Sequence, residues 1–228
     1  MSQLALPLRL ADHAVFDSFL ATGNETLVAM LQELAVGGEG TGCYLWGAAA
    51  TGKTHLLQAV CDKAGDESVY LPLRSFSGAS PELLEGLAQR RLICIDDVES
   101  VAGDAAWEEA LFSLYNEVTA NNCRLVVAAG NAPRSSTFEL ADLKSRLGQL
   151  PTFQIKDLGD AATRQALQLR ARHRGLDLPD ETAQFLLGRS RRDMASLYEL
   201  LDKLDSEALR AQRRLTIPFV REVMLSQE

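Results

Sequence analysis

The chain has 228 residues, of which 46% are hydrophobic and 24% charged. That length suits one large domain, or an α/β domain with a smaller appendage, and the composition excludes disordered, collagenous and disulfide-scaffold classes. The net charge is −8 at pH 7, whereas a domain that holds nucleic acid by itself must replace phosphate counterions with its own cations, so direct DNA binding is not expected.

Short apolar runs alternate with helical patterns along the first two thirds. In chain order the reading is a strand at 43–46, a helix at 54–64, a strand at 68–73 and a helix at 81–89. A strand at 92–95, a helix at 105–121, a strand at 125–129, a helix at 140–147 and a weaker strand at 153–155 follow. Continuous aliphatic runs, without polar alternation, mark strands covered on both faces, as in a parallel sheet. The expected fold class is therefore α/β, a doubly wound parallel sheet flanked by helices. After residue 157 the strand signals stop, and 160–174, 180–189, 192–207 and 217–226 read as helices, with Pro179-Asp180-Glu181 a good helix start. The expected division is a short N-terminal peptide at 1–12, an α/β domain at 13–157 and a small all-helical domain at 158–228.

Cys43, Cys61, Cys94 and Cys123 form no CxxC pair, and Cys43 and Cys94 are expected as core thiols inside strands. The three histidines lack ligand spacing, so no zinc site is expected. No run reaches the roughly 18 apolar residues of a membrane span. The N-terminus lacks a secretory pattern, so a cytoplasmic chain without a membrane partner is expected.

The segment Gly47-Ala48-Ala49-Ala50-Thr51-Gly52-Lys53-Thr54 matches G-x-x-x-x-G-K-[ST] in full, between a strand and a helix. Glycines let the backbone turn tightly and aim N–H groups at phosphate oxygens, and the helix N-terminus adds a favourable partial charge. Lys53 is expected at the β/γ-phosphates of ADP or ATP, and the Thr54 hydroxyl on Mg²⁺. The run Leu92-Ile-Cys-Ile-Asp96-Asp97 is an apolar strand ending in acids, the Walker B pattern. Asp96 is expected to hold magnesium and Asp97 to polarise the attacking water. Asn131, after the strand at 125–129, is a candidate for positioning that water.

These elements, in this order, resemble an AAA+ ATPase module with its helical lid. The closer resemblance is to the ATPase core of the bacterial replication initiator DnaA, over about residues 15–225. It is carried by Gly47–Leu57, by Leu92–Val98 and by Leu143-Lys-Ser-Arg146-Leu-Gly148, which is similar to the family's arginine-finger box. Phe16-Asp-Ser-Phe19 with Asn24 resembles the lead-in that flanks the adenine, and Leu215-Thr-Ile-Pro-Phe-Val-Arg-Glu resembles the end of the module.

The departures from DnaA shape the expected function. The sequence has no match to DnaA's basic helix-turn-helix domain, nor to its N-terminal interaction domain. It begins Met-Ser-Gln3-Leu4-Ala-Leu6-Pro7-Leu8, which resembles the short peptide that docks on the β sliding clamp of the replicative polymerase. The resemblance implies a clamp-loaded regulator that meets ATP-bound DnaA and stimulates its hydrolysis, preventing re-initiation, with DNA reached only through the clamp. Arg146 would then act in trans, on a neighbour's γ-phosphoryl group. A second family arginine is expected early in the third lid helix, where Ala195 stands; Arg192, one turn earlier, is the candidate substitute. The chain's own ATPase is therefore expected to be weak. The alternative is an autonomous ATPase of the helicase-loader type, which the complete Lys53, Asp96 and Asp97 set allows. AAA+ modules work through neighbour interfaces, so a homo-oligomer stays open.

Overall fold

In the computed structural model, residues 14–76, 78–189 and 194–225 are described. Five strands form one parallel sheet: β1 (Gly42–Trp46), β2 (Ser68–Pro72), β3 (Leu92–Asp96), β4 (Arg124–Ala129) and β5 (Thr152–Gln154). Their spatial order is β2-β3-β4-β1-β5, and every pairing is parallel. The central strands β1, β3 and β4 are buried almost throughout, while edge strand β5 is largely exposed. The continuous apolar runs thus mark strands covered on both faces, as expected.

Alternation within those runs divides the core in two. Tyr44, Ile93, Ile95, Leu125 and Val127 face α3 (Ala105–Ala120) and α4 (Ala141–Leu147). Cys43, Leu45, Cys94, Val126 and Ala128 face α1 (Glu25–Ala35) and α2 (Lys53–Ala64). All four cysteines are free and buried, and burial pushes the Cys43 thiol up to about 12. Helix α1 is an element beyond those expected, although Leu27, Val28, Leu31 and Leu34 recur at helical spacing and are buried.

One expected helix is not formed. Residues 81–89 make two 3-10 turns, Pro81–Leu84 and Leu87–Gln89, instead. The backbone is extended at Glu85 and left-handed at Gly86, with φ 74°. Two such residues in succession break the hydrogen-bond ladder of a helix.

The lid has its own core. It comprises α5 (Asp160–His173), α6 (Asp180–Arg189), α7 (Met194–Ala211) and α8 (Ile217–Leu225), closing over Leu167, Leu186, Leu201, Leu204 and Val220. Helix α5 also packs against the 3-10 turn at Phe16–Ser18, which couples the lid to the α/β core. Among the described residues no helix is long and apolar enough to cross a membrane.

A buried carboxylate pins α4 in place. Glu108 of α3 is 1% exposed and accepts N–H bonds from Gly103 at 2.7 Å, Glu139 at 2.9 Å and Leu140 at 2.6 Å. Those donors precede α3 and α4, so one side chain sets the start of the helix that carries Arg146. Glu108→Ala leaves these N–H groups without their acceptor, and the expected loss is about 3 kcal/mol of stability. Urea denaturation of the variant measures it.

Candidate nucleotide site

The loop after β1 turns through left-handed backbone at Ala50, φ 62°, and at Gly52, φ 96°, before α2 begins at Lys53. Such successive turns aim N–H groups into one concavity, and the helix N-terminus adds its partial positive charge. Glycine is needed at 52 twice over. Besides the positive φ, a Cβ there would lie 2.8 Å from the Phe19 ring.

A cavity of about 560 Å³ opens between this loop and the lid, within the range of about 300–1,000 Å³ usual for small-ligand sites. Ala49, Ala50, Thr51, Gly52, Lys53 and Thr54 line one wall. Phe19, Leu20 and Asn24 of the N-terminal lead-in line another, and Ala166, Arg170, Met194, Ala195 and Tyr198 form the lid side. Asn24 Oδ1 accepts the Lys156 N–H at 3.1 Å, tying the lead-in to the segment that enters the lid.

Lys53 is 8% exposed, and its ammonium donates to the carbonyls of Gly47 at 2.8 Å and Ala48 at 2.7 Å. Burial lowers its pKa, while Glu99, Asp96 and Asp97 act in the opposite sense and favour the charge. Asp96, at the end of β3, is 2% exposed and accepts hydrogen bonds from Thr54 Oγ1 at 2.6 Å and Tyr70 OH at 3.0 Å. Burial raises its pKa against those bonds.

The donor set fits the groups the motif implies. A hydroxyl and a carboxylate 2.6 Å apart are the oxygen ligands that Mg²⁺ accepts alongside phosphates and water. Thr54 and Asp96 would hold it, and it would supply positive charge against that of the phosphates. Lys53, already surrounded by carbonyl oxygens, exchanges one set of oxygen acceptors for another when phosphate arrives.

The other sequence candidates fall out as follows. Asp97 lines the cavity from a left-handed position, φ 51°, and is held by Arg74 at 2.8 Å. Asn131 is exposed and does not line the cavity; its carbonyl accepts the Tyr44 hydroxyl at 3.1 Å. Gly130 stands at that edge instead, donating its N–H to Glu99 Oε1 at 2.9 Å. The second carboxylate oxygen, Glu99 Oε2, is buried without a hydrogen-bond partner. Arg146 is exposed on α4, apart from the cavity, and has no ion-pair partner among the described residues. Gln3, Leu4, Leu6, Pro7, Leu8 and Arg192 lie outside the described residues.

Three participants lie beyond the sequence reading. Glu99 lies two residues past Asp97, beyond the pair of acids that ends the apolar run in sequence. Arg170 was one among many lid arginines. His55, 8% exposed, donates from Nε2 to Val15 O at 2.9 Å and packs on Phe19, fastening α2 to the lead-in. The carbonyl selects this tautomer.

The α/β core thus carries a P-loop and an acidic strand end, and a helical lid borders the same cavity. A family model described as "ATPase family associated with various cellular activities (AAA)" matches residues 43–151, and one described as "Hda, lid domain" matches residues 160–224. Domain III of the Thermotoga maritima replication initiation protein DnaA is similar over 96% of this chain and 98% of that chain, with TM-score 0.79 and 19% identity. AMPPCP-bound DnaA from Aquifex aeolicus is similar over 85% of this chain and 65% of that chain, with TM-score 0.69 and 20% identity. The Aeropyrum pernix Orc1 protein in complex with DNA is similar over 96% of this chain and 68% of that chain, with TM-score 0.69 and 18% identity. The fold is similar to that of DnaA domain III, a parallel sheet flanked by helices with a helical lid, and residues 160–224 are similar to the lid domain of Hda.

Two outcomes are expected. Lys53→Ala removes the charge-assisted contact to phosphate and weakens ADP and ATP binding about a hundredfold, read by calorimetric titration. Burial, which outweighs the bond to Val15, lowers the His55 pKa from 6.5 to about 4. The imidazole is then neutral in the fold but takes a proton in the unfolded chain. Its stability contribution is full above pH 6.5 and is lost as the pH falls toward about 4. The expected difference in acid sensitivity between the wild type and His55→Gln is up to about 3 kcal/mol across that window. Chemical denaturation at stepped pH checks it.

Proposed function

We propose that the chain is a cytoplasmic regulator of replication initiation. In this reading it binds ADP or ATP with magnesium, docks on the β sliding clamp through Gln3, Leu4, Leu6, Pro7 and Leu8, and stimulates ATP hydrolysis by DnaA through Arg146. DNA is reached only through the clamp. The Hda-type lid and the DnaA-type fold support it, and so does the clamp-like sequence at the N-terminus.

The observation that carries it is the position of Arg146. The side chain is exposed, free of ion pairs among the described residues and apart from the cavity of its own chain. It therefore serves a nucleotide held by a neighbour, where a guanidinium offsets charge developing on the γ-phosphoryl oxygens during transfer. A finger of that kind accelerates hydrolysis by about 10³–10⁵ in GTPase systems. The neighbour's own P-loop and metal hold the nucleotide; this chain adds one positioned cation on a helix fixed by Glu108.

The site within the chain favours retention over turnover. Asp97, the expected water-polarising carboxylate, is engaged by Arg74. Where the family carries a lid arginine, α7 brings Ala195 to the cavity. The alternative, an autonomous ATPase of the helicase-loader type, draws on the Thr54–Asp96 pair and on the free carboxylate oxygen of Glu99.

The test is ATP turnover by DnaA with DNA-loaded clamp and this protein. The wild type is expected to accelerate hydrolysis, Arg146→Ala to lower the stimulation at least a hundredfold on the order of a lost finger, and Gln3→Ala to lose dependence on the clamp. Unchanged DnaA turnover, with Lys53-dependent hydrolysis by this protein alone, would establish the autonomous ATPase in its place.

A further inference from the structure

The lid holds a buried cation that forms no ion pair among the described residues. Arg170, on the last turns of α5, is 8% exposed and lines the cavity one turn beyond Ala166. Its guanidinium carbon stacks 4.1 Å from the centre of the Tyr198 ring. Its Nε is buried with no hydrogen-bond partner. No carboxylate pairs with Arg170 among the described residues, and the nearby acids Asp202 and Asp205 are engaged by Arg174. Burial lowers the pKa of the Arg170 guanidinium and Arg174 adds to the effect, opposed by Tyr198 and Asp202.

An unpaired guanidinium in such a place works against the ligand-free fold, because desolvation costs it more than one aromatic face returns. The cost is offset if an anion enters the cavity. Of the described lid residues that line the cavity, Arg170 is the one cation; α7 contributes only Met194, Ala195 and Tyr198. Its position along the cavity is also marked. Lys53, Thr54 and Glu99 define the end where the terminal phosphates belong. Phe19, Leu20 and Asn24 define the opposite, base end. Arg170 and His55 line the cavity together, and α5 packs on the Phe16–Ser18 turn of the lead-in. His55 is itself bonded to Val15 and packed on Phe19, so Arg170 lies toward the base end.

We propose that Arg170 is the lid's nucleotide-binding cation, donating from its guanidinium, Nε included, to the α-phosphate of a nucleoside di- or triphosphate. This rests on the nucleotide-binding reading above. It makes lid closure depend on a group that ADP and ATP share. The lid then grips both alike, as suits a module that retains nucleotide rather than sensing its terminal phosphate.

The experiment is calorimetric titration of ADP and ATP into the wild type, Arg170→Met and Lys53→Ala, with thermal melting of each ligand-free protein. Methionine keeps an unbranched apolar stem against Tyr198 and removes the charge. Arg170→Met is expected to weaken ADP and ATP by the same factor, about tenfold to a hundredfold. Its ligand-free melting temperature is expected to be unchanged or higher, since the unpaired buried charge is gone. A merely structural role predicts the opposite: a lower melting temperature with affinity retained. If Arg170→Met does not fold, Arg170→Lys keeps the charge without the Nε donor and is expected to show a partial, equal loss for both nucleotides. Wild-type affinity in these variants, while Lys53→Ala loses it, overturns the role of Arg170 alone. A loss confined to ATP overturns the α-phosphate assignment. A wild type that binds neither nucleotide overturns the nucleotide reading, and this proposal with it.

Discussion

Charge compensation at the carboxyl ends of three parallel strands is the constraint on which the rest of the structure depends. Lys53, Asp96 and Glu99 are brought together there by β1, β3 and the turn after it, with Lys53 and Asp96 buried. A buried cation without nearby anions would lose its proton, and buried acids without donors would gain one. Each offsets the others, and Thr54, Tyr70 and the Gly130 N–H donate to the carboxylates, leaving only Glu99 Oε2 without a hydrogen bond among these groups. The cluster requires β4 to lie between β1 and β3, because the backbone at its end meets Glu99. Strand order is thus as much a property of the site as of the sheet.

The same logic divides the molecule's arginines. Arg74 and Arg174 are paired with acids. Arg170 is buried without one among the described residues. Arg146 is in water, where a lone charge is inexpensive. A cation whose partner belongs to another molecule has to be kept either solvated until that molecule arrives or sheltered at a cost in stability. Arg146 follows the first course and Arg170 the second. The difference matches their proposed partners: a neighbouring protein's nucleotide for Arg146, and the chain's own nucleotide for Arg170.

Position, as well as charge, is inherited from the core. Arg146 sits on a seven-residue helix that is too short to hold its own orientation by backbone bonds alone. Glu108 holds the two N–H groups that precede it, and Leu143 and Leu147 seat it on the sheet. His55 does a similar service for the lead-in segment, through Val15 and Phe19. Glu108 thereby sets where Arg146 stands, and His55 where Phe19 stands at the cavity wall.

Much was legible along the chain because it depends on local pattern. The P-loop from Gly47 to Thr54 is contiguous, and its geometry follows from the glycines and the helix start. Continuous apolar runs identified strands buried on both faces, and helical spacing with Pro179 identified the lid. Where a local signal was contradicted, a backbone detail was the cause: Gly86 in the left-handed region turned an expected helix into two 3-10 turns. The tertiary structure alone decided the strand order, the placing of Gly130 and Glu99 at the cavity edge, and the burial of Arg170 against the cavity. Those features join residues tens of positions apart, and burial, which sets the energy of a charge, is not a property of neighbours in sequence.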